Sequence, residues 1–135
     1  MSDRTKRKIL PAIFYRTTAG SEPVRDWLKG LSRDDKRIVG QDIATVEFGW
    51  PVGMPHCRSL APRRGLWEVR SSLTGNRIGR VLFFIQEGQM VLLHGFTTKI
   101  QQTPDQESDL AVKRKKEIEN DERVSIWALR SMPIS

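Results

Sequence analysis

The periodicity of the apolar residues changes near residue 65, and this change constrains the fold more than any other feature. From Leu66 to Leu73 apolar and polar residues alternate, which places Glu68 and Arg70 on the side opposite the apolar positions. Two further strand patterns follow after short turns, at Arg77–Gln86 and Gln89–Thr98. Three strand patterns joined by turns this short predict an antiparallel meander.

The residues on either side of the meander have helical spacing. Pro23–Leu31 and Ser32–Phe48 predict a helical hairpin, and Thr103–Glu119 predicts a final helix that begins at a threonine cap. The predicted buried stripe of the second helix is Val39, Ile43 and Val46. Ile9–Arg16 predicts an edge strand, and Trp50–Pro62, with three of the chain's seven prolines, predicts a loop. The order β-α-α-β-β-β-α predicts an α+β fold, a small antiparallel sheet with helices against one face.

Positive charge is concentrated in the middle of the chain. The sequence carries 23 lysines and arginines against 16 acidic residues, a formal net charge of +7. Between residues 63 and 103 the only acidic residues are Glu68 and Glu87, whereas the basic residues are Arg63, Arg64, Arg70, Arg77, Arg80 and Lys99. Arginine presents a planar fork of donors that suits phosphate groups. This pattern favours a polyanionic partner, nucleic acid first, with a solvated basic surface as the alternative.

Other features exclude several classes of protein. The longest apolar run, Val81–Ile85, is far shorter than the roughly 20 residues of a membrane helix, and no apolar segment that would form a secretory signal follows the basic N-terminus. Cys57 is the single cysteine, so an intramolecular disulfide and a multi-cysteine zinc site are excluded. His56, Cys57 and His94 lack acidic neighbours at metal-ligand spacing. We therefore predict a cytoplasmic protein without metal or cofactor.

Four segments carry a resemblance to a known family: Pro23–Leu28, Gly65–Arg70, Arg80–Ile85, and Val91–Phe96 with the Lys99 and Gln102-Thr103-Pro104 that follow it. In this order and spacing they resemble the RelE/ParE superfamily of toxins, and within it the phage-derived branch related to HigB. The resemblance implies a twisted antiparallel sheet with an N-terminal helical hairpin and a C-terminal helix. It divides the chain into a basic tail (1–8), a RelE/HigB-like toxin domain (9–120) and a C-terminal extension (121–135).

The function that the resemblance implies is that of the toxin in a type II toxin–antitoxin system. Such a toxin is a ribosome-dependent, metal-independent endoribonuclease that cleaves translated mRNA, in which the ribose 2′-OH attacks the adjacent phosphate. The reaction needs a base, an acid and cations around the phosphate. The implied partners are the ribosome, mRNA and a cognate antitoxin of helix-turn-helix type, without a membrane. Self-association is a further open expectation.

Matched to the family's motifs, three residues are predicted to be catalytic: Arg70, Arg80 and Lys99. Four more are predicted to contact RNA: Arg64, Arg77, Glu68 and His94. Five of the seven have a structural alternative: an ion pair for Arg70, a place at the sheet rim for Arg80, a solvated turn for Arg77, orientation of an arginine for Glu68, and packing in the core for His94. Thr98 stands where the family has the first lysine of a pair, and Phe84 stands where it has a tyrosine.

Two other functions stay open at this point. A ParE-like inhibitor of DNA gyrase shares the fold and also acts through basic and C-terminal surfaces. A non-catalytic, phage-derived RNA-binding protein is the expectation if the Thr98 and Phe84 replacements abolish cleavage. The apolar residues Ile126, Trp127 and Leu129 of the extension predict a segment that docks, either on its own domain or on a partner.

Overall fold

The computed structural model describes residues 7–61, 63 and 65–120, and these residues form an α+β fold, as predicted. The helices are α1 (Pro23–Lys29), α2 (Arg33–Gly49) and α3 (Asp105–Asn120). The strands are β1 (Ala12–Phe14), β2 (Cys57–Ser59), β3 (Trp67–Ser72), β4 (Ile78–Gln86) and β5 (Gln89–Thr98). All five belong to one sheet, in the order β1-β5-β4-β3-β2.

The predicted meander is confirmed. Strands β3, β4 and β5 pair antiparallel in sequence order. Glu87 and Gly88 both have positive φ, 53° and 75°, which is the conformation that a tight two-residue hairpin turn requires. Between β3 and β4 the chain instead forms a single 3-10 turn, Thr74–Asn76.

The two outer strands differ from the prediction. β1 is an edge strand, as predicted. It pairs parallel with β5, however, with Ala12 opposite Met90, so the sheet is mixed rather than purely antiparallel. The helical hairpin separates β1 from the rest of the sheet along the chain, and a connection of that length permits parallel pairing. β2 lies in the segment predicted as loop and pairs with β3. A strand of three residues is too short to show a period of two.

The prediction that the helices cover one face of the sheet is wrong. α1 and α2 cover one face, where the core includes Val39, Val46, Val69, Val81 and Phe83. α3 covers the other face, where the core includes Leu66, Leu82, Leu93, Ala111 and Ile118. The reason is visible in β4, whose residues 78–84 are buried on both sides. A central strand that is apolar on both sides needs a layer on each face.

The helical hairpin forms as its sequence predicts. Ser32 caps α2, its hydroxyl oxygen accepting a hydrogen bond from the Asp35 backbone N–H at 3.2 Å. The predicted stripe of Val39, Ile43 and Val46 is buried. The indole of Trp27 in α1 lies so close to Gly95 in β5 that a Cβ there would come within 2.5 Å of it, so only glycine fits this position.

Some predictions fall on residues outside the described ranges. They concern most of the basic tail, Arg64, and the extension 121–135 with Trp127. Within the described ranges no helix is both long and apolar enough to cross a membrane.

Candidate nucleic-acid interface

Two arginines lie directly opposite each other on the face of the sheet that carries α3. Arg70 of β3 and Arg80 of β4 are register partners, and the alternation of β3 places Glu68 on the same face. Like charges at directly opposed positions destabilise a sheet. The arrangement therefore needs a compensating carboxylate, and it leaves cationic side chains close together.

Glu68 is that carboxylate, and its main partner is Arg80. The Arg80 Nη1 lies 2.6 Å from the Glu68 Oε2, and both side chains are 0% exposed. Arg80 Nη2 also donates to the backbone carbonyls of Ile100, at 3.0 Å, and of Gln101. Burial lowers the pKa of Arg80 and the nearby arginines act in the same direction, whereas Glu68 opposes them. Arg80 therefore ties the β5–α3 connection to the sheet.

Arg58 is a third arginine beside Glu68, and the sequence prediction missed it. Its Nε lies 3.2 Å from the Glu68 Oε2, and its Nη2 donates to the Thr103 hydroxyl at 3.1 Å. Its side chain stays 36% exposed. The Thr103 hydroxyl, predicted as a helix cap, donates to the Glu68 carboxylate. Arg58 was missed because β2 was predicted as loop, and its register position opposite Glu68 became visible only with the strand pairing.

Within the described part of the chain, Arg70 makes the fewest side-chain hydrogen bonds of the three arginines. Its Nη2 donates to the Gln101 side-chain oxygen at 2.9 Å, at the protein surface. Its Nε is buried and, like the Nε of Arg80, has no hydrogen-bond acceptor among the described residues. We call Glu68, Arg58, Arg70 and Arg80 the Glu68 cluster. The cluster contains one carboxylate and three guanidinium groups, so it has two positive charges in excess. Arg58 and Arg70 are the members that are partly exposed to solvent.

The three residues predicted to be catalytic are therefore not equivalent. Arg70 and the exposed Lys99 lie at the surface, and Lys99 is two residues from the Gln101 that accepts from Arg70. Arg80, by contrast, is fully buried and does not reach this surface. Arg80 is buried because its guanidinium forms an ion pair with the buried carboxylate of Glu68. The catalytic roles of Arg70, Arg80 and Lys99 stay predictions.

Arg77, predicted to contact RNA, is engaged by the turn beside it. Its Nη2 pairs with the carboxylate of Asp35, which is buried in α2, and its Nε donates to the Thr74 carbonyl at 3.0 Å. The Thr74 backbone N–H, and then Arg77 and the Thr74 hydroxyl, lower the pKa of Asp35, while burial acts in the opposite direction. These contacts fasten the β3–β4 turn to α2, a structural task.

His94 belongs to a second polar group, between the sheet and α3. Its Nε2 lies 2.5 Å from the Glu107 Oε1, and its ring stacks on Phe96.

We call this group the Tyr15 cluster; its members are Tyr15, His94, Glu107, Arg114 and Glu117. Arg114 donates to the Leu93 carbonyl at 2.8 Å and lies 5.5 Å from the Tyr15 ring centre. The Tyr15 hydroxyl donates to the Glu117 carboxylate at 2.6 Å.

The Tyr15 cluster is closed by its own contacts. Each carboxylate has a partner inside it, and each basic side chain faces a carboxylate, a carbonyl or a ring. His94 thus takes the packed position that was the alternative to RNA contact, although its RNA-binding role itself is untested. Within the described ranges, no group of three or more histidine, cysteine or acidic side chains is placed to hold a metal ion.

A family of known proteins matches this chain. The family model described as "Phage derived protein Gp49-like (DUF891)" matches residues 26–116, which run from α1 into α3 and include the whole Glu68 cluster and Lys99. A search of curated proteins found no match.

Proposed function

The chain belongs to the phage-derived Gp49-like family, which lies within the RelE/HigB-like toxin superfamily, and on that premise we propose that it is a toxin that cleaves mRNA through its Glu68 cluster. The observation that carries the proposal is the pair of excess positive charges in this cluster. An ion-pair group that served stability alone would balance its charges, because like charges in proximity cost free energy.

The cluster suits an RNA phosphate in charge and in geometry. Arg58 lies opposite Glu68 on the neighbouring strand β2, and Arg70 lies two residues beyond Glu68 on β3. In the proposed complex each fork takes phosphate oxygens of the RNA. Arg70 also holds a buried Nε–H that lacks an acceptor among the described residues. Arg80 is a positioning residue, since it holds Glu68 and the Ile100–Gln101 segment in place.

In the proposed reaction the ribose 2′-oxygen attacks the adjacent phosphorus, the bond to the 5′-oxygen breaks and a 2′,3′-cyclic phosphate forms. The proton of the 2′-OH passes through water to the leaving 5′-oxygen, so that the second product is a free 5′-hydroxyl. Negative charge gathers on the non-bridging oxygens in the transition state. Arg58 and Arg70 stabilise that charge, and Lys99 adds a further cation at the same end of the sheet. The ribosome holds the mRNA in a reactive conformation, as the resemblance implies.

A toxin of this kind needs an antitoxin. A basic surface is best neutralised by a partner segment that carries carboxylates, because complementary charge speeds encounter and shields the arginines. We propose that the antitoxin covers Arg58, Arg70 and Lys99.

The test is controlled expression in bacteria, with growth and the 5′ ends of cellular mRNA followed together. We expect growth arrest and new mRNA ends inside translated regions. Arrest without new ends, together with loss of negative supercoiling in a plasmid, would identify a gyrase inhibitor instead. No arrest, combined with binding of RNA by the purified protein, would identify a non-catalytic RNA-binding protein.

A further inference from the structure

A cleft lies at the edge of the sheet beside Arg70. Its volume is about 240 Å³, and it is lined by Ile38, Asp42, Pro55, His56, Arg70 and Ser72. The cleft exists because β2 pairs with β3 only as far as Val69. Beyond that point the Arg70 backbone N–H donates to the His56 carbonyl at 2.9 Å, and the chain leaves the sheet edge. Arg70 therefore contributes to both the Glu68 cluster and the cleft.

The walls of the cleft combine flat surfaces with one carboxylate. Asp42 of α2 is only 19% exposed, and among the described residues its carboxylate accepts no hydrogen bond. Its Oδ1 lies 3.8 Å from the Nδ1 of His56, whose ring is half-exposed. The ring of His56 and the neighbouring Pro55 offer flat faces. Pockets for drug-sized ligands have about 300–1,000 Å³, so this smaller cleft suits a single planar ring system.

We propose that the cleft binds one unstacked nucleobase of the RNA, guanine in preference to the others. This inference rests on the proposed function, since it requires an RNA phosphate on Arg70. Single-stranded RNA is recognised through bases that are turned out of the stack and bonded on their free edges. Arg70 and Asp42 line the same cleft, so the proposal places the base next to a phosphate on Arg70 against Asp42.

Guanine is favoured by the chemistry of Asp42. The Watson–Crick edge of guanine presents two parallel N–H donors, at N1 and N2, which match the two oxygens of a carboxylate. Cytosine and adenine place a ring acceptor beside their amino group, and uracil flanks its single N–H with two carbonyl oxygens. These acceptors face the carboxylate unfavourably. Arg70 offsets the repulsion between Asp42 and the RNA backbone.

The test measures the affinity of the full chain for short oligouridines that carry one central guanosine or, in its place, inosine. Inosine differs from guanosine only by the missing 2-amino group. The comparison therefore changes the RNA at one position and leaves the protein unaltered. We expect guanosine to bind about fivefold to tenfold more tightly than inosine. In Asp42→Asn the preference should disappear, whereas Asp34→Asn should retain it because Asp34 lies exposed in the first turn of α2, outside the cleft.

Arg70→Ala separates this inference from the proposed function. If this variant binds both RNAs more weakly, and the unaltered protein prefers guanosine, both proposals are supported. If the variant binds both more weakly but the unaltered protein does not distinguish guanosine from inosine, the nucleobase proposal is overturned and the proposed function stands. If Arg70→Ala binds both RNAs as tightly as the parent, the assignment of phosphate binding to the Glu68 cluster is overturned.

Discussion

The Glu68 cluster and the Tyr15 cluster lie on the same face of one sheet and use the same kinds of side chain, but their charges are balanced differently. In the Tyr15 cluster two carboxylates accompany one arginine: Glu107 contacts His94, Glu117 accepts from the Tyr15 hydroxyl, and Arg114 lies over the Tyr15 ring. In the Glu68 cluster one carboxylate serves three arginines. The first arrangement fixes α3 on the sheet. The arrangement in the Glu68 cluster leaves an excess of positive charge, which a binding site for an anion requires.

Within the Glu68 cluster the two tasks are divided between residues. Arg80 and Glu68 form the buried pair that holds the connection to α3, and they have no contact with solvent. Arg58 and Arg70 lie around that pair, partly exposed. Substitutions can therefore separate stability from activity in this cluster, while in the Tyr15 cluster they should change stability alone.

The largest effect is expected for Glu68→Gln. The substitution leaves the buried guanidinium of Arg80 without a charged partner, and breaking a buried pair in this way costs about 3–5 kcal/mol. Urea unfolding measures the loss. As control, Glu22→Gln removes a surface pair with Arg25 and should cost less than about 1 kcal/mol. A loss for Glu68→Gln no larger than that of the control would contradict the account of the buried pair.

Arg70→Ala should affect activity far more than stability. Removing one cation that stabilises the phosphate charge should slow mRNA cleavage about a hundredfold or more. The free energy of unfolding should change by less than about 1 kcal/mol, because among the described residues the side-chain hydrogen bond that is lost is the one to the exposed Gln101. For Arg80→Ala we expect the opposite: its main effect should be a loss of stability rather than a direct loss of cleavage. Full cleavage by a folded Arg70→Ala variant would place the active site elsewhere.

Arg114→Met should affect stability alone. It removes the bond to the Leu93 carbonyl and the contact with the Tyr15 ring, for a loss of about 1–3 kcal/mol. RNA affinity should match that of Lys116→Met, an exposed position in the same helix with the same change of charge. If Arg114→Met bound RNA much more weakly than Lys116→Met, the Tyr15 cluster would belong to the interface.

A pH dependence is expected at the Tyr15 cluster, and it is confined to alkaline solution. Burial, and then the hydrogen bond to Glu117, raise the pKa of Tyr15 to about 12, compared with about 10 in an unfolded chain. A raised pKa contributes stability that is fully present below pH ~10 and is lost as the pH rises toward 12. Stability should therefore fall less steeply over this window in Tyr15→Phe than in the parent. Equal slopes would mean that Tyr15 ionises as freely in the folded protein as in the unfolded one.

The sequence predicts the central part of this molecule well because the signals there are local. The meander, the cap at Ser32 and the stripe of α2 each follow from residues close together in the chain. The position of α3 on the opposite face could not be predicted in the same way. It depends on how both sides of β4 are covered, which is a property of the whole sheet.

The candidate site was predicted in part for the same reason. The alternation of β3 placed Arg70 and Glu68 on one face, but which arginine would be buried depended on the pairing across strands. Arg80 is opposite Arg70 and was drawn to Glu68, whereas Arg58 joined the cluster through a strand too short to be predicted. His56 and Asp42 share a cleft although α2 and the segment before β2 show no common sequence pattern.

The most direct test of the central claim is the salt dependence of RNA binding. Each arginine that contacts a phosphate of single-stranded RNA contributes about 0.7 to the slope of log affinity against log salt concentration. We expect Arg58→Ala and Arg70→Ala each to reduce the slope by about this amount, and Lys116→Ala to leave it unchanged. If neither arginine variant changed the slope, the excess charge of the Glu68 cluster would not contact RNA, and the account would be contradicted.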